Sequence, residues 1–267
     1  VHDLRILNGG LAALTRFERR PAMRAMLALL VLVLALAGCT VSTGSPQPPI
    51  GVLSGPAAAP QPVPAAVGPD IAARNFVAVV RRVEPVAEQV CRAELPRGNC
   101  DFLIVVDDRP GAPPNAFQTL DRSGRPVIGF TLALVADARN QDELAFILGH
   151  EAAHHIAGHI PLAQQSASTG ALLGGLAATL GGLDAQGVDA ISQLGATVGA
   201  RQYSKQFELE ADALGTVIAA RAGYNPVRGA AYFSRIPDPG DRFLGSHPPN
   251  ADRIRVVQST AARIGAY

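Results

Sequence analysis

The run His150-Glu151-Ala152-Ala153-His154 constrains this chain more than any other feature in it. Four of the six histidines fall within residues 150–159. Asn140 and Glu143 form a capping pair upstream, followed by the apolar run Leu144 to Leu148, so the pentad lies inside a predicted helix. On a helix, positions i and i+4 share a face one turn apart. His150 and His154 can therefore offer two imidazole nitrogens to one metal ion, and zinc suits such a donor set. Glu151, beside the first histidine, is placed to take a proton from a water at that ion. Two ligands do not close a site, so the fold must bring a second element, with a further ligand, against this helix.

The best source is Glu208-Leu209-Glu210-Ala211-Asp212, on a predicted helix from about residue 202 to 222 closed by Gly223. Glu208 and Asp212 are again i and i+4 and share a face, whereas Glu210 points roughly opposite. Glu208 is the expected third ligand. Asp212 is placed to accept the second ring N–H of a metal-binding histidine. The metal helix is expected to run on to His159 and stop at Pro161. In such a regular helix His155 and His159 lie about 140° and 180° around from His150. They are read as surface or packing histidines. The metzincin pattern is excluded, because Ile160 stands where its third histidine belongs. Its methionine turn is missing as well: Met23 and Met26 are the only methionines.

Glu208-Leu209-Glu210-Ala211-Asp212-Ala213-Leu214-Gly215, downstream of His-Glu-x-x-His, resembles the HtpX-like and CAAX prenyl protease-type zinc endopeptidases and their periplasmic lipoprotein relatives. Asn115-Ala116-Phe117, Ser246-His247-Pro248-Pro249 and Arg253-Ile254 match further segments of that family, in order, over roughly residues 70–260. The resemblance implies one zinc ion per chain, Glu208 as third ligand and polypeptide substrates. It also brings the His247 segment near the cleft. There His247 would cap the zinc as a fourth ligand, stabilise the developing oxyanion, or only shape a turn. The spanning helices of the membrane-bound relatives are not matched. Ala171–Leu183 is too short to cross a bilayer and reads as a packing helix or a lid.

The remaining segments fill in the frame. Ile71, Phe76, Val79, Val80 and Val83 recur at helical spacing, with Asp70 as cap and Pro85 kinking or ending the helix. Phe102–Val106 reads as a buried strand. Asn115–Leu120 and Pro126–Thr131 read as two more, joined by a turn at Asp121-Arg122-Ser123-Gly124. The last of these precedes the metal helix and is the expected edge for an extended peptide. Asn250 is expected to cap a final helix ending near Arg263. The fold class is thus α+β: a mostly helical, zincin-like metalloprotease domain with a small β-sheet beside the metal helix.

Residues 1–38 read as a signal peptide region, the first 22 as an over-long gene start. Met26 to Gly38 is an apolar run of signal length ending Leu36-Ala37-Gly38-Cys39, which looks like a bacterial lipobox with Cys39 lipidated. Thr40 rather than Asp follows, which by resemblance to lipoprotein sorting points to the outer membrane. Residues 39–69 form a linker with eight prolines between Pro46 and Pro69, and 70–267 the metallopeptidase domain. In an exported chain Cys91 and Cys100 are an even pair expected to form a disulfide. A net charge of +1 gives no reason to expect nucleic acid as a partner. The expected function is hydrolysis of unfolded or misassembled envelope proteins in the periplasm. The rival is a chaperone-like outer-membrane assembly factor with a latent site. A cell-wall peptide hydrolase is a third reading, but no recognisable wall-binding segment supports it.

Overall fold

The computed structural model describes residues 66–201, 204–240 and 248–266. The expectations for Cys39, His247, the signal region and most of the linker lie outside these residues. Helix α1 (Pro69–Glu94) begins with proline at its first position behind Gly68, where a missing N–H costs nothing. Asp70 thus sits in the first turn and is not the cap. Ala72, Val79, Val83, Ala87, Val90 and Cys91 form its buried stripe. Pro85 does not end it: Pro85 and Arg81 are both exposed, so the carbonyl that Pro85 leaves unbonded faces water. A disulfide joins Cys91 to Cys100, with Cα atoms 5.7 Å apart.

Three strands follow: β1 (Leu103–Asp107), β2 (Ala116–Leu120) and β3 (Pro126–Thr131). Asp121 builds the β2–β3 turn, its Oδ1 accepting from the Ser123 and Arg125 amides at 2.8 and 3.0 Å. Gly124 supplies the positive φ of 81°. The sheet order is β1-β3-β2, with β1 parallel and β2 antiparallel to β3. This corrects one expectation. β3 is the central strand, paired on both sides and almost wholly buried, so it cannot take a peptide at its edge. The half-exposed β2 is an edge strand instead. Phe117 pairs with Gly129, and a Cβ on Gly129 would run into the Phe117 ring.

Thr131 ends β3 and caps α2 (Leu132–Asp137), its Oγ1 accepting from the Leu134 amide at 3.2 Å. The same hydroxyl donates to the Pro113 carbonyl and accepts from the Asn115 amide at 2.9 Å. Helix α3 (Gln141–Ile156) is the centre of the fold, buried on nearly every side. Asn140 caps it as expected, accepting from the Glu143 amide at 3.0 Å, while Glu143 accepts from the Arg139 amide at 2.9 Å. The acids of its first turn are paired, Asp142 with Arg228 and Glu143 with Arg235, as buried charges require.

Helix α3 stops at Ile156, earlier than expected. Gly158 turns the chain with φ 69°, and a new helix, α4 (His159–Leu180), begins at once. Pro161 falls in its first turn, where proline is tolerated. Helices α4 and α5 (Ala185–Arg201) make a hairpin. Its seam is glycine on backbone: a Cβ on Gly170 would meet the Gly195 carbonyl, and one on Gly199 the Ser166 carbonyl. Helix α6 (Ser204–Arg221) then packs along α3. Helix α7 (Pro226–Ala230), a 3-10 turn (Ala231–Ser234) and α8 (Asn250–Ile264) complete the chain. Asn250 is not the cap of α8. It is the first helical residue, and its side-chain Nδ2 donates to the Phe233 and Ile236 carbonyls. The core lies between α1, the sheet, α3 and α6, around Val83, Phe102, Ile128, Phe130, Leu144, Leu148 and Ile218.

Candidate metal centre

Two helices meet backbone to backbone at the site. A Cβ on Gly215 of α6 would lie 2.8 Å from the His150 amide nitrogen, and one on Gly149 of α3 would lie 2.8 Å from the Gly215 carbonyl. The missing side chains let α3 and α6 come close enough for their ligand-bearing faces to converge. His150 Nε2 lies 3.1 Å from His154 Nε2 and 3.5 Å from Glu208 Oε2, and His154 Nε2 lies 3.4 Å from Glu208 Oε1. A tetrahedral zinc with bonds of about 2.0–2.1 Å separates its ligand atoms by about 3.3 Å. The three side chains are therefore near enough to bind one metal ion, and they form the cluster of that kind found among the described residues.

Behind the first histidine stands a carboxylate. His150 Nδ1 is 2.9 Å from Asp212 Oδ1. Asp212, fully buried, is gripped by Arg253 of α8 through Nε at 2.8 Å and Nη2 at 2.7 Å. The Arg253 guanidinium also lies over the Phe233 ring, 3.9 Å from its centroid. Burial alone would raise the Asp212 carboxyl. The hydrogen bonds from Arg253 and then His150 outweigh it and hold the group below its ordinary value. Burial likewise pulls His150 down, but its hydrogen bonds to Asp212 and then Glu208 prevail and push it up to about 10.

Glu151 makes no hydrogen bond or ion pair among the described residues. Burial raises its carboxyl above the ordinary value; the charges of His150 and His154 pull back, and Glu208 pushes up again. A nearby dication would oppose that rise. The carboxylate lines two adjoining hollows. A cavity of about 630 Å³ is walled by Ala116, Ile147, Tyr232, Phe233 and Ile236 and includes His150, His154, Glu208 and Arg253. A smaller one of about 270 Å³ on the other side includes Gln118, His154, His159, Phe207 and Glu208. Strand β2 borders both, with Ala116 at the first and Gln118 at the second.

The two histidines set aside from the metal differ. His155 packs, its Nε2 2.7 Å from the Asn99 carbonyl and its ring edge-on to Phe102. His159 is only 3% exposed, and its Nδ1 lies 2.9 Å from His154 Nδ1. The angle of 180° assumed an unbroken helix, and the break at Gly158 swings His159 back to the site. Glu210, expected to point away, reaches His159 Nε2 at 3.3 Å. Gly158 followed by Pro161 was the local signal of a stop and restart. For Arg253 the sequence carried only the Arg253-Ile254 match, with no role attached.

With this geometry in hand, comparison with known proteins gives a family. The profile of peptidase family M48 matches residues 75–261, well over half of the chain. The chain is also similar to the mitochondrial metalloendopeptidase OMA1 of Saccharomyces cerevisiae, 31% identical over 165 residues. That match takes in 57% of this chain and 44% of OMA1, so the chain spans less than half the length of that curated relative. The family profile takes in His150, Glu151, His154, Glu208, Asp212 and Arg253, and the chain belongs to peptidase family M48, carrying that family's peptidase domain.

Proposed function

We propose that this protein is a zinc-dependent endopeptidase in which His150, His154 and Glu208 hold the metal and Glu151 is the general base. The observation that carries the reading is the trio of ligand atoms at tetrahedral spacing beside a carboxylate that has no partner among the described residues. Held by these three residues, a zinc ion would supply a polarising dication and would lower the pKa of water to about 7. Glu151 takes the proton of the attacking water and hands it to the leaving amine. Asp212 fixes His150 through Nδ1, and Arg253 keeps Asp212 ionised. A polypeptide lies extended along the free edge of β2, held by main-chain pairing with little sequence preference. That mode suits unfolded or misassembled chains.

The chain belongs, in this reading, to the periplasmic lipoprotein branch of HtpX-like enzymes, anchored at the outer membrane through a lipid on Cys39 and serving envelope quality control. The lipobox-like Leu36-Ala37-Gly38-Cys39, the proline-rich linker and Thr40 support it. His247 would then cap the metal at rest, stabilise the oxyanion, or only shape a turn.

Zinc content and casein cleavage of the purified protein test the chemistry. Glu151→Gln is expected to keep zinc and lose cleavage, and Glu208→Ala to lose zinc. A wild type that holds zinc and cleaves nothing calls for His247→Ala. Restored cleavage there means a latent protease, and continued silence favours the holding factor. Labelled fatty acid that is incorporated by the wild type and equally by Cys39→Ala would remove the anchor.

A further inference from the structure

The two histidines of the centre are supported from behind by different chemistry, and only one of the supports is a carboxylate. His154 turns Nε2 toward His150 and Glu208. A neutral imidazole that ligates through Nε2 carries its hydrogen on Nδ1. The His154 side chain is only 17% exposed, so that N–H calls for an acceptor within the protein. At 2.9 Å from it stands His159 Nδ1. If His159 accepts at Nδ1, its own hydrogen sits on Nε2, which faces Glu210 Oε2 at 3.3 Å. The hydrogens along His154, His159 and Glu210 then have one consistent direction, ending on a carboxylate. Stacking holds the His159 ring in place, 4.4 Å and 15° from the Phe207 ring. His159 is only 3% exposed, so the ring is enclosed by protein.

We propose that His159, backed by Glu210, is the positioning residue of His154, fixing its tautomer and ring angle for the metal. The inference rests on His154 being a ligand. It adds a requirement that the pentad does not contain: a helix break one turn later, with glycine at the break. Gly158 at φ 69° turns the chain so that a residue otherwise on the far face meets the ligand from behind.

The test uses the full chain, with zinc affinity measured by competition against a chromophoric chelator and the visible spectrum of the cobalt-substituted protein as second readout. His159→Leu is expected to lower zinc affinity about 10–100-fold, the usual cost of losing such a partner, and to alter the cobalt bands. His159→Asn, which keeps an acceptor oxygen near the position of Nδ1, is expected to recover most of the affinity even if its melting temperature matches that of His159→Leu. Unchanged zinc affinity and cobalt spectrum in His159→Leu, with only the melting temperature lowered, would make His159 a packing residue and overturn the inference. His154→Ala is the control: if it binds zinc as the wild type does, the ligand assignment itself has failed, and this inference with it.

Discussion

The α3–α6 pair and the α4–α5 hairpin are both made by glycines that let helix backbones touch, yet they present opposite surfaces. Around Gly149 and Gly215 the neighbours are charged and buried: Asp212 is fully buried, and Glu208 and Arg253 are nearly so. Every one of these groups has a partner of the other sign. Around Gly170, Gly174 and Gly195 the neighbours are apolar or small, and Leu172, Leu173, Leu176 and Leu180 lie on the outside, more than half exposed. No charged residue occurs from Ile160 to Leu183. Close approach is thus a means that the fold uses twice. It becomes a site only where the surrounding groups must be held at fixed distances, because a charge in a poorly polarisable interior tolerates little misplacement.

The contrast makes graded predictions. Asp212→Ala leaves Arg253 buried without its carboxylate and His150 without its partner. We expect a loss of about 3–5 kcal/mol, read from urea unfolding, and a loss of zinc. Gly215→Ala forces a methyl against the His150 backbone. About 1–3 kcal/mol should be lost, with weaker zinc binding, since the spacing of the ligands depends on that contact. A variant with wild-type zinc affinity would show that the two helices can separate without cost to the site. Gly195→Ala makes a closer clash still, against the Gly170 carbonyl, but in a hairpin that lies outside the core and is expected to splay without moving it. Its effect on global unfolding should stay below about 1 kcal/mol, with cleavage retained. The smallest effect belongs to Leu172→Gln with Leu176→Gln, expected within about 0.5 kcal/mol of wild type and neutral for cleavage. Lost activity there would tie the hairpin surface to function.

What the sequence made legible was local. Asn140 and Glu143 marked the start of α3 because a capping pair is complete within four residues. His150 with His154, and Glu208 with Asp212, could be put on shared faces because helical spacing alone decides that. The Asp121–Gly124 turn carried its own signals, so the β2–β3 hairpin was readable. The position of β1 was not. It crosses to the far side of β3 and pairs in parallel with it, and nothing in the neighbouring residues encodes a partner so distant along the chain. That step turned the expected edge strand into the central one. The same limit applies to Arg253, which meets Asp212 across 41 positions. His159 packs, as expected, but on the other side of the helix than the angle gave, for a different reason: one positive-φ glycine resets helical phase, and every angle counted beyond it changes.

Thr131 joins the rim of the cleft to its floor. One hydroxyl both starts the helix that leads to α3 and ties down Pro113 and Asn115, from which the free edge of β2 departs. A peptide bound as proposed would load the same joint from which the metal helix is hung. Anyone retuning the rim for a new substrate would find two parts sharing one pin. Changes to residues 113–116 are safe only while Thr131 keeps its grip, and replacing Thr131 with valine would loosen rim and floor together.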